Sequence, residues 1–167
     1  MRYCPVGGGL IMNEKDRKIL ELLQDNGRIS NVDLAKAVEL APSAALERVR
    51  KLEEKGFITG YTARVNPDLV GLGLAAFIFL RVDDREDETR VAEELAKQPF
   101  VLELHHLAGE DCFLVKVRAH DTNDLYRILK DEFGRYKSIR STRTSIVLHS
   151  DKEGGRLAIG GGEESES

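Results

Sequence analysis

The sequence is poor in aromatic residues and in cysteine. Aromatic residues make up 6% of the 167 residues, and tryptophan is absent. Single-stranded nucleic acid is usually bound by several exposed rings that stack on the bases, so that class of binding protein is disfavoured. The two cysteines, Cys4 and Cys112, lie far apart in the sequence. This spacing supports neither a disulfide framework nor a metal cluster, and we expect no metal and no cofactor in a protein of a reducing cytosol.

The sequence also lacks a long apolar run. The longest, LVGLGLAAFIFL at residues 69–80, has twelve residues, whereas a membrane-spanning helix needs about 20. Residues 1–11 contain three consecutive glycines and no apolar core of a signal peptide. Because MNEKDRKIL at Met12 looks like a natural start, we expect residues 1–11 to be a disordered extension. The predicted location is the cytoplasm, with no membrane partner.

Positive residues are outnumbered by negative ones overall, and the balance between them differs along the chain. The formal net charge is −4, which does not suggest a nucleic-acid partner. Residues 12–64 hold 10 Lys and Arg against 9 Asp and Glu, a net charge of +1, whereas residues 65–167 hold 14 against 20, a net charge of −6. The acidity therefore belongs to the second half. Together with a change of hydrophobic pattern, it predicts a domain boundary within residues 61–68.

The first segment, residues 12–61, has the pattern of three short helices. Asn13 can cap the first helix and Asn26-Gly27 can end it, while Ser30 with Asp33 resembles a capping box for the second. Pro42 suits the first turn of the third helix. Gly56 ends that helix and a β-segment follows from Phe57. This order predicts a winged helix-turn-helix, and a small helical bundle for protein contacts is the alternative.

The third helix carries the residues that favour DNA. Its inner face is predicted to contain Ala45, Leu46, Val49 and Leu52. Small residues at its N-terminal end would allow close approach to the major groove, and basic residues further along could bind phosphates or guanine edges. Ser43 could instead cap the helix, and the basic residues could simply be solvated. The predicted DNA contacts, with two from the start of the second helix, are Arg28, Ser30, Ser43, Ala44, Glu47, Arg48, Arg50 and Lys51.

After a predicted β-linker at residues 62–73, the pattern alternates between strands and helices. Strands are predicted at residues 74–82, 101–107, 112–119 and 139–149, and helices at residues 86–98 and from Asp121 or Thr122. The order β-α-β-β-α-β is that of an α+β ferredoxin-like domain with two helices on one sheet face. Covering the other face with a second copy predicts a homodimer. Residues 150–167 are rich in Gly, Glu and Ser and are expected to form a disordered tail.

At this point the sequence itself can be compared with a known family. The stretches NGRISN, LERVRKLEEKGFI and GYTA, with GEDCFLVKV and TRTSIVL further on, closely resemble the leucine-responsive and asparagine-responsive regulators, the Lrp/AsnC or feast/famine family. The resemblance covers roughly residues 13–148. It implies prokaryotic, cytoplasmic transcription factors that bind double-stranded DNA. It also implies dimers that often assemble into octamers, and a small amino-acid effector bound near the hairpin turn of the α+β domain.

The resemblance points to effector contacts in this hairpin and on the last strand. The matching residues are Gly109, Glu110, Asp111 and Cys112, with Thr142 and Thr144 as secondary candidates. A carboxylate suits the ammonium of an amino acid, and a glycine turn can expose N–H groups to its carboxylate. Many members have an aromatic residue and then Asp after the Gly-acidic pair, so the Asp111-Cys112 pair leaves the effector open. Ala41 also replaces the usual Ser before the helix-opening Pro, which removes an N-cap.

Two other functions compete with an amino-acid-responsive regulator. Siroheme decarboxylases resemble the same two-part architecture and use histidines, of which this chain has only His105, His106, His120 and His149. The sequence contains no recognisable catalytic constellation, so we expect no enzyme. An architectural DNA-binding protein without an effector is the other alternative. Asp111 could equally be a turn residue and Cys112 a buried one.

Overall fold

The computed structural model describes residues 12–83, 85–109 and 112–159, without the side chains of Arg85 and Glu86. The predicted extension at residues 1–11 and the end of the predicted tail, residues 160–167, lie outside the described residues. The chain forms two compact units. The first contains the chain up to Arg64 and again from Lys152, and the second contains Val65–Asp151. Within the described ranges, no helix has the length and apolar character that a bilayer crossing requires.

The first unit contains three helices, α1 (Glu14–Asp25), α2 (Asn31–Ala37) and α3 (Pro42–Glu54). The predicted caps of the first two are present: the side chain of Asn13 accepts the Asp16 N–H at 2.8 Å, and that of Ser30 accepts the Asp33 N–H at 3.1 Å. Ala41 precedes α3 without a side-chain cap. The N-terminal helix-turn-helix predicted from the sequence is therefore formed.

A small apolar core holds the three helices together. It consists of Ile19, Leu20, Leu34, Val38 and Leu52. The sequence interpretation of α3 was wrong at one position, because Leu46 is 41% exposed rather than packed inward. Successive helical residues are about 100° apart, so Leu46 falls beyond the edge of the buried stripe, on the same side as Ser43 and Arg50.

The segment that crosses from the first unit into the second differs from the prediction of a β-segment and β-linker. Residues 57–73 contain no strand. A strand needs a hydrogen-bonding neighbour, and the four strands that the described residues do form are paired with one another. Residues 67–71 form turns instead, with Gly71 at φ 77°, a conformation that favours glycine. The Gly71 carbonyl oxygen lies 2.6 Å from Nδ1 of His120, and this contact holds the turn in place within the second unit.

The second unit has the predicted βαββαβ order. Its strands are β1 (Leu74–Val82), β2 (Val101–His106), β3 (Phe113–Ala119) and β4 (Ile139–Ile146). Helix α4 (Arg85–Leu95) follows β1, and α5 (Thr122–Arg127) follows β3 and continues as a π-helical segment, Ile128–Phe133. The sheet order is β2-β3-β1-β4 with antiparallel neighbours throughout. The α+β fold predicted from the sequence is confirmed.

The core of the second unit lies between the two helices and one face of the sheet. Every second residue of β1 and of β3 is buried on this face. In the register of the two strands, Ile78 lies opposite Val115 and Leu80 opposite Phe113. Val91 and Leu95 of α4 pack on this face, which we call the helix-side face. The other face of the sheet, the open face, has no covering element among the described residues. Its two aromatic residues on β1, Phe77 and Phe79, are only half-buried.

A bulge changes the predicted faces of β2. Strict alternation along the strand predicted at residues 101–107 would place Val101, Glu103 and His105 on one face, but the register shifts between Val101 and Glu103. Val101 pairs with Val117 and Leu104 with Val115, so both lie on the helix-side face, and Leu102 is left 52% exposed. One extra residue in a strand reverses the faces beyond it, which no residue-by-residue alternation can anticipate.

The last described residues return to the first unit. Lys152 onward belongs to the same compact unit as the three helices, and Ile159 packs against their core. The predicted disordered tail therefore begins with residues that have defined contacts, although these residues form no strand. For residues 160–167 the disorder stays a prediction.

Candidate nucleic-acid interface and ligand cleft

The outer face of α3 presents small, apolar and charged side chains in one row. Ser43, Leu46, Glu47 and Arg50 are spaced by three and four residues, and all four are exposed. The helix begins at Pro42, so Ser43 and Leu46 are in its N-terminal half, the part of a recognition helix that approaches base edges. Ala44 is half-buried at the border of this row. Hydrogen bonds and apolar contacts to bases can both be made from such a face.

Arg48 has a contact that the sequence pattern did not reveal. Its Nη1 donates to Oδ1 of Asp16 at 2.7 Å, which joins α3 to α1. The Arg48 side chain is 35% exposed and that of Asp16 is 22% exposed. Arg48 therefore stabilises the packing of the two helices, and a phosphate would have to compete with Asp16 for its guanidinium.

Glu47 of this row forms an ion pair with the neighbouring Lys51. Lys51 Nζ lies 2.8 Å from Glu47 Oε1 across one turn of α3. The hydrogen bond and the charge of the partner lower the pKa of Glu47 and raise the pKa of Lys51, so both groups are ionised at neutral pH. Their charges largely cancel. Among the described residues Arg50 has no such partner in an ion pair, which leaves it as the cation of this face with the greatest freedom to reach DNA.

The two predicted contacts ahead of α2 differ in their environment. The Ser30 hydroxyl donates to Asp33 Oδ2 at 2.6 Å while accepting the Asp33 N–H, so it is engaged as a helix cap. Arg28 is exposed, and its backbone N–H donates to Asn26 Oδ1 at 3.0 Å. This hydrogen bond orders the turn that contains Arg28. The exposed side chain of Arg28 can reach a phosphate.

The second unit contains an open cleft beside the β2–β3 hairpin. It has a volume of about 450 Å³ and is lined by Glu88, His106, Leu107, Gly109 and Cys112. This volume is within the range typical of small-molecule sites, roughly 300–1,000 Å³. A carboxylate, an imidazole, a thiol and a leucine side chain thus meet at one place. The combination suits a small zwitterion that has an apolar side chain.

Backbone hydrogen bonds hold the hairpin side of the cleft in place. The Cys112 N–H donates to the Leu80 carbonyl at 2.8 Å, and the Leu107 N–H donates to the Cys112 carbonyl at 2.9 Å. The Cys112 thiol lies 3.5 Å from the Val82 N–H, which donates to it. The ring of His106 contacts that of Phe113 edge-on, with centroids 4.3 Å apart. These contacts fix the cleft wall before any ligand arrives.

The structure brings together only part of the predicted effector set. Gly109 and Cys112 line the cleft, whereas Glu110 and Asp111 lie outside the described residues. Thr142 pairs with Leu80 on the opposite side from Cys112, and Thr144 pairs with Ile78. With neighbouring strands about 4.8 Å apart, Thr142 is two strands away from Cys112 at the same level of the sheet. Neither threonine lines the cleft in this chain.

The sequence interpretation missed three cleft residues, Glu88, His106 and Leu107. Glu88 belongs to α4 and is far from the hairpin in sequence, so no local spacing connects the two. For His106, a residue of the strand predicted at 101–107, the sequence favours structural packing, and Leu107 is the last residue of that strand. Their only signal was indirect: α4 connects β1 to β2, and the hairpin after β2 places β3 beside β1.

The histidines of the described residues do not form a common centre. His105 lies 3.3 Å from Glu103 on the open face, His120 contacts the Gly71 carbonyl, and His106 lines the cleft. No group of three or more metal-binding side chains occurs among the described residues.

Comparisons with known proteins cover both units. Residues 12–59 match the winged helix-turn-helix DNA-binding family, and residues 75–157 match the Lrp/AsnC ligand binding domain. The chain is 36% identical over 153 residues to the leucine-responsive regulatory protein of Escherichia coli K12, covering 90% of this chain and 93% of that protein. The leucine-responsive regulatory protein of Serratia marcescens matches with the same identity and coverage.

Solved structures give the same result. A transcriptional regulator from Neisseria meningitidis in complex with L-methionine has a TM-score of 0.83 and 33% identity, over 87% of this chain and 96% of that one. Escherichia coli AsnC has a TM-score of 0.81 and 27% identity, over 87% and 98%. The feast or famine regulatory protein of Mycobacterium tuberculosis, complexed with L-methionine, has a TM-score of 0.81 and 29% identity, over 87% and 97%.

Proposed function

The chain belongs to the Lrp/AsnC family of DNA-binding transcriptional regulators, and from this premise we propose which of its residues read DNA and which bind its amino-acid effector. The family consists of regulators rather than enzymes, so the decarboxylase alternative is set aside. DNA and an amino acid are the two ligands that the membership supports. The residue assignment is based on one candidate binding feature in each unit: the exposed face of α3 in the first unit and the cleft at the hairpin in the second.

For DNA, the proposed reading residues are those of the exposed row on α3. Ser43 and Leu46 approach the bases first, Leu46 by apolar contact with a thymine methyl group, and Arg50 reaches a guanine edge or a phosphate. Arg28 holds a phosphate ahead of α2. Arg48 and Lys51 act less directly, because each already has a carboxylate partner. Ser30, Ala44 and Glu47 remain candidate contacts.

For the effector, the proposed site is the cleft at the hairpin. Glu88 offers a carboxylate to the ammonium group, and the backbone at Gly109 offers hydrogen bonds to the carboxylate. Leu107 and Cys112 contact the side chain. Glu110, Asp111, Thr142 and Thr144 stay as candidates from the sequence. L-methionine is bound in two of the similar structures, so it is the first ligand to test.

We propose that the protein acts as a homodimer assembled through the open face of its sheet, with dimers joining into octamers in the prokaryotic cytoplasm at the nucleoid. The half-buried Phe77 and Phe79 of the open face support this, because a second copy would remove them from water. Two α3 helices of a dimer would enter successive major grooves about one helical turn, roughly 34 Å, apart. The net charge of residues 12–64 is only +1, which makes the DNA affinity of a single subunit low. Assembly therefore increases DNA affinity, and an effector that changes assembly also changes DNA affinity.

A selection from random duplexes, followed by anisotropy titration on the selected site, tests the DNA part. Leu46→Ala should keep affinity for the backbone but lose preference at one thymine, by up to about 1–3 kcal/mol, the usual cost of one mismatched base pair. The control is Val32→Ala, which removes an exposed apolar side chain at the start of α2 rather than from the row. If Leu46→Ala selects the same sequence with the same stringency, Leu46 does not read bases.

A thermal-shift screen of the twenty amino acids, with L-methionine first, tests the effector part. Glu88→Gln keeps the shape of the cleft wall but removes its charge, and should abolish the shift. Glu93→Gln on the same helix is the matched control, since Glu93 is exposed and outside the cleft. An equal shift in Glu88→Gln would move the site elsewhere. No response to any amino acid, with DNA binding intact, would favour an architectural protein.

A further inference from the structure

The segment after the sheet is attached to helix α1 of the first unit by its own backbone. The Leu157 N–H donates to the side-chain oxygen of Gln24 at 2.7 Å, and the Gln24 amide donates back to the Leu157 carbonyl at 3.3 Å. The side chain of Gln24 thus forms the same pair of hydrogen bonds that a neighbouring strand would form. Two residues later, Ile159 packs against the helix core. We call residues 152–159 the strap.

A charge cluster attaches the strap to the end of α1. Arg156 Nη1 lies 3.0 and 2.8 Å from the two carboxylate oxygens of Asp25, and Nη2 lies 3.8 Å from Glu21. Helix α1 has no basic residue in its last turn. The C-terminal end of a helix carries partial negative charge, so carboxylates there are destabilising and a cation is favourable. Arg156 supplies the cation that α1 itself lacks.

The strap is also joined to the point where the chain first leaves the unit. The first unit ends at Arg64 and resumes at Lys152. Arg64 Nη2 donates to the Glu153 carbonyl at 2.7 Å. The outgoing and returning segments are therefore hydrogen-bonded to each other. On the other side, only residues 147–151 separate the strap from β4, the strand that carries Thr142 and Thr144.

We propose that the strap is a detachable second link between the two units, and that its attachment to α1 sets the stability of the helix-turn-helix and thereby its affinity for DNA. A change at β4 reaches α1 through a short covalent path when the strap is attached. When it is detached, α1 loses its C-terminal cation and the core loses Ile159. The DNA part of this inference rests on the proposed function, but the attachment to α1 does not.

Two truncated chains isolate the strap. One ends at Ile159 and the other at Asp151, so both lack residues 160–167 and they differ only in the strap. In the chain that ends at Ile159, the hydrogen-exchange rates of the α1 amides should equal those of the full chain. Exchange should be at least about fivefold faster in the shorter one, the factor that corresponds to losing 1 kcal/mol of local stability. Equal α1 exchange in the two truncated chains would overturn the proposal.

Point variants test whether the charge cluster is responsible. Arg156→Ala should speed α1 exchange, and the exchange of charges in Arg156→Asp with Asp25→Arg should restore protection. Lys152→Ala is the matched control, because Lys152 is an exposed strap cation outside the Asp25 and Glu21 cluster. If Lys152→Ala has the same effect as Arg156→Ala, a general loss of positive charge explains the result and the specific link is rejected.

Titration of duplex DNA separates this inference from the proposed function. The chain ending at Asp151 should bind several-fold more weakly than the chain ending at Ile159. Equal DNA affinities, with α1 exchange faster in the shorter chain, would show that the strap is only structural and would overturn its regulatory role. If even the full chain fails to bind duplex DNA, the proposed function fails, whereas the exchange result still decides the attachment.

Discussion

At the scale of single residues, the two arginines of α3 separate a structural role from a binding role. Arg50 is exposed on the outer row, whereas Arg48 is held 2.7 Å from Asp16. We expect Arg50→Ala to weaken DNA binding and to lower the slope of log affinity against log salt by about one, the value for one lost phosphate contact. Anisotropy titrations between low and moderate salt measure both quantities.

Arg48→Ala is the matched comparison for that experiment. Because Arg48 joins α3 to α1, its loss should lower thermal stability and leave the salt slope nearly unchanged. A slope reduced as much as in Arg50→Ala would show that DNA displaces Asp16 from Arg48. From the sequence, both arginines were candidate contacts, since their spacing on α3 does not reveal that Asp16, in another helix, is within reach of one of them.

Tyr61 gives a prediction for high pH. Partial burial and the hydrogen bond that its hydroxyl donates to Glu53, at 2.9 Å, raise the pKa of Tyr61 to about 12 from an ordinary 10.0. The folded protein therefore holds this proton more tightly than the unfolded chain does. The resulting stability is present below pH 10 and is lost as the pH rises from 10 towards 12.

Absorbance at 295 nm, compared between the natural chain and Tyr61→Phe, isolates this titration from those of the other tyrosines. Glu53→Gln should bring the Tyr61 pKa part of the way back towards its ordinary value, because it removes the charge but not the burial. A Tyr61 that ionises near pH 10 in the natural chain would contradict the contact with Glu53.

At the scale of elements, α3 lacks a cap that its neighbours have. Ala41 cannot accept a hydrogen bond from the first turn, whereas Asn13 and Ser30 cap α1 and α2. Ala41→Ser should stabilise the first unit by about 1 kcal/mol. Protection of the amides in the first turn of α3 against hydrogen exchange measures the gain. Ala44→Ser, which adds the same hydroxyl inside the helix, should instead lose a few tenths of a kcal/mol, and equal effects would exclude capping as the cause.

The elements also show what the sequence can and cannot predict. Local signals fixed the starts of α1 and α2 and the bounds of β1, because caps and apolar runs act over a few residues. The bulge in β2 was missed because it depends on the register with β3. The cleft was missed in part because Glu88 comes from another element than Gly109 and Cys112. Leu46 was predicted to be buried because the spacing of apolar residues does not show where the buried stripe of a helix ends.

At the scale of the whole molecule, the uncovered sheet face leads to the proposed dimer. Arg143 of β4 lies on this face with its guanidinium carbon 3.9 Å above the centre of the Phe79 ring. In a two-fold interface each residue is present twice, so a single substitution acts at two places. Arg143→Glu removes both stacked cations and introduces two carboxylates beside half-buried apolar rings.

We expect Arg143→Glu to raise the dissociation constant of the dimer at least about tenfold, which corresponds to 1.4 kcal/mol. Sedimentation at several protein concentrations measures it. Arg127→Glu is the control, since it makes the same charge change on α5, which covers the other face of the sheet, and its side chain is 68% exposed. In the proposed mechanism the near-neutral DNA-binding segment gains its affinity from a second copy, so Arg143→Glu should also weaken DNA binding while Arg127→Glu should not. If both variants stay dimeric at every concentration, the dimer does not form through the open face.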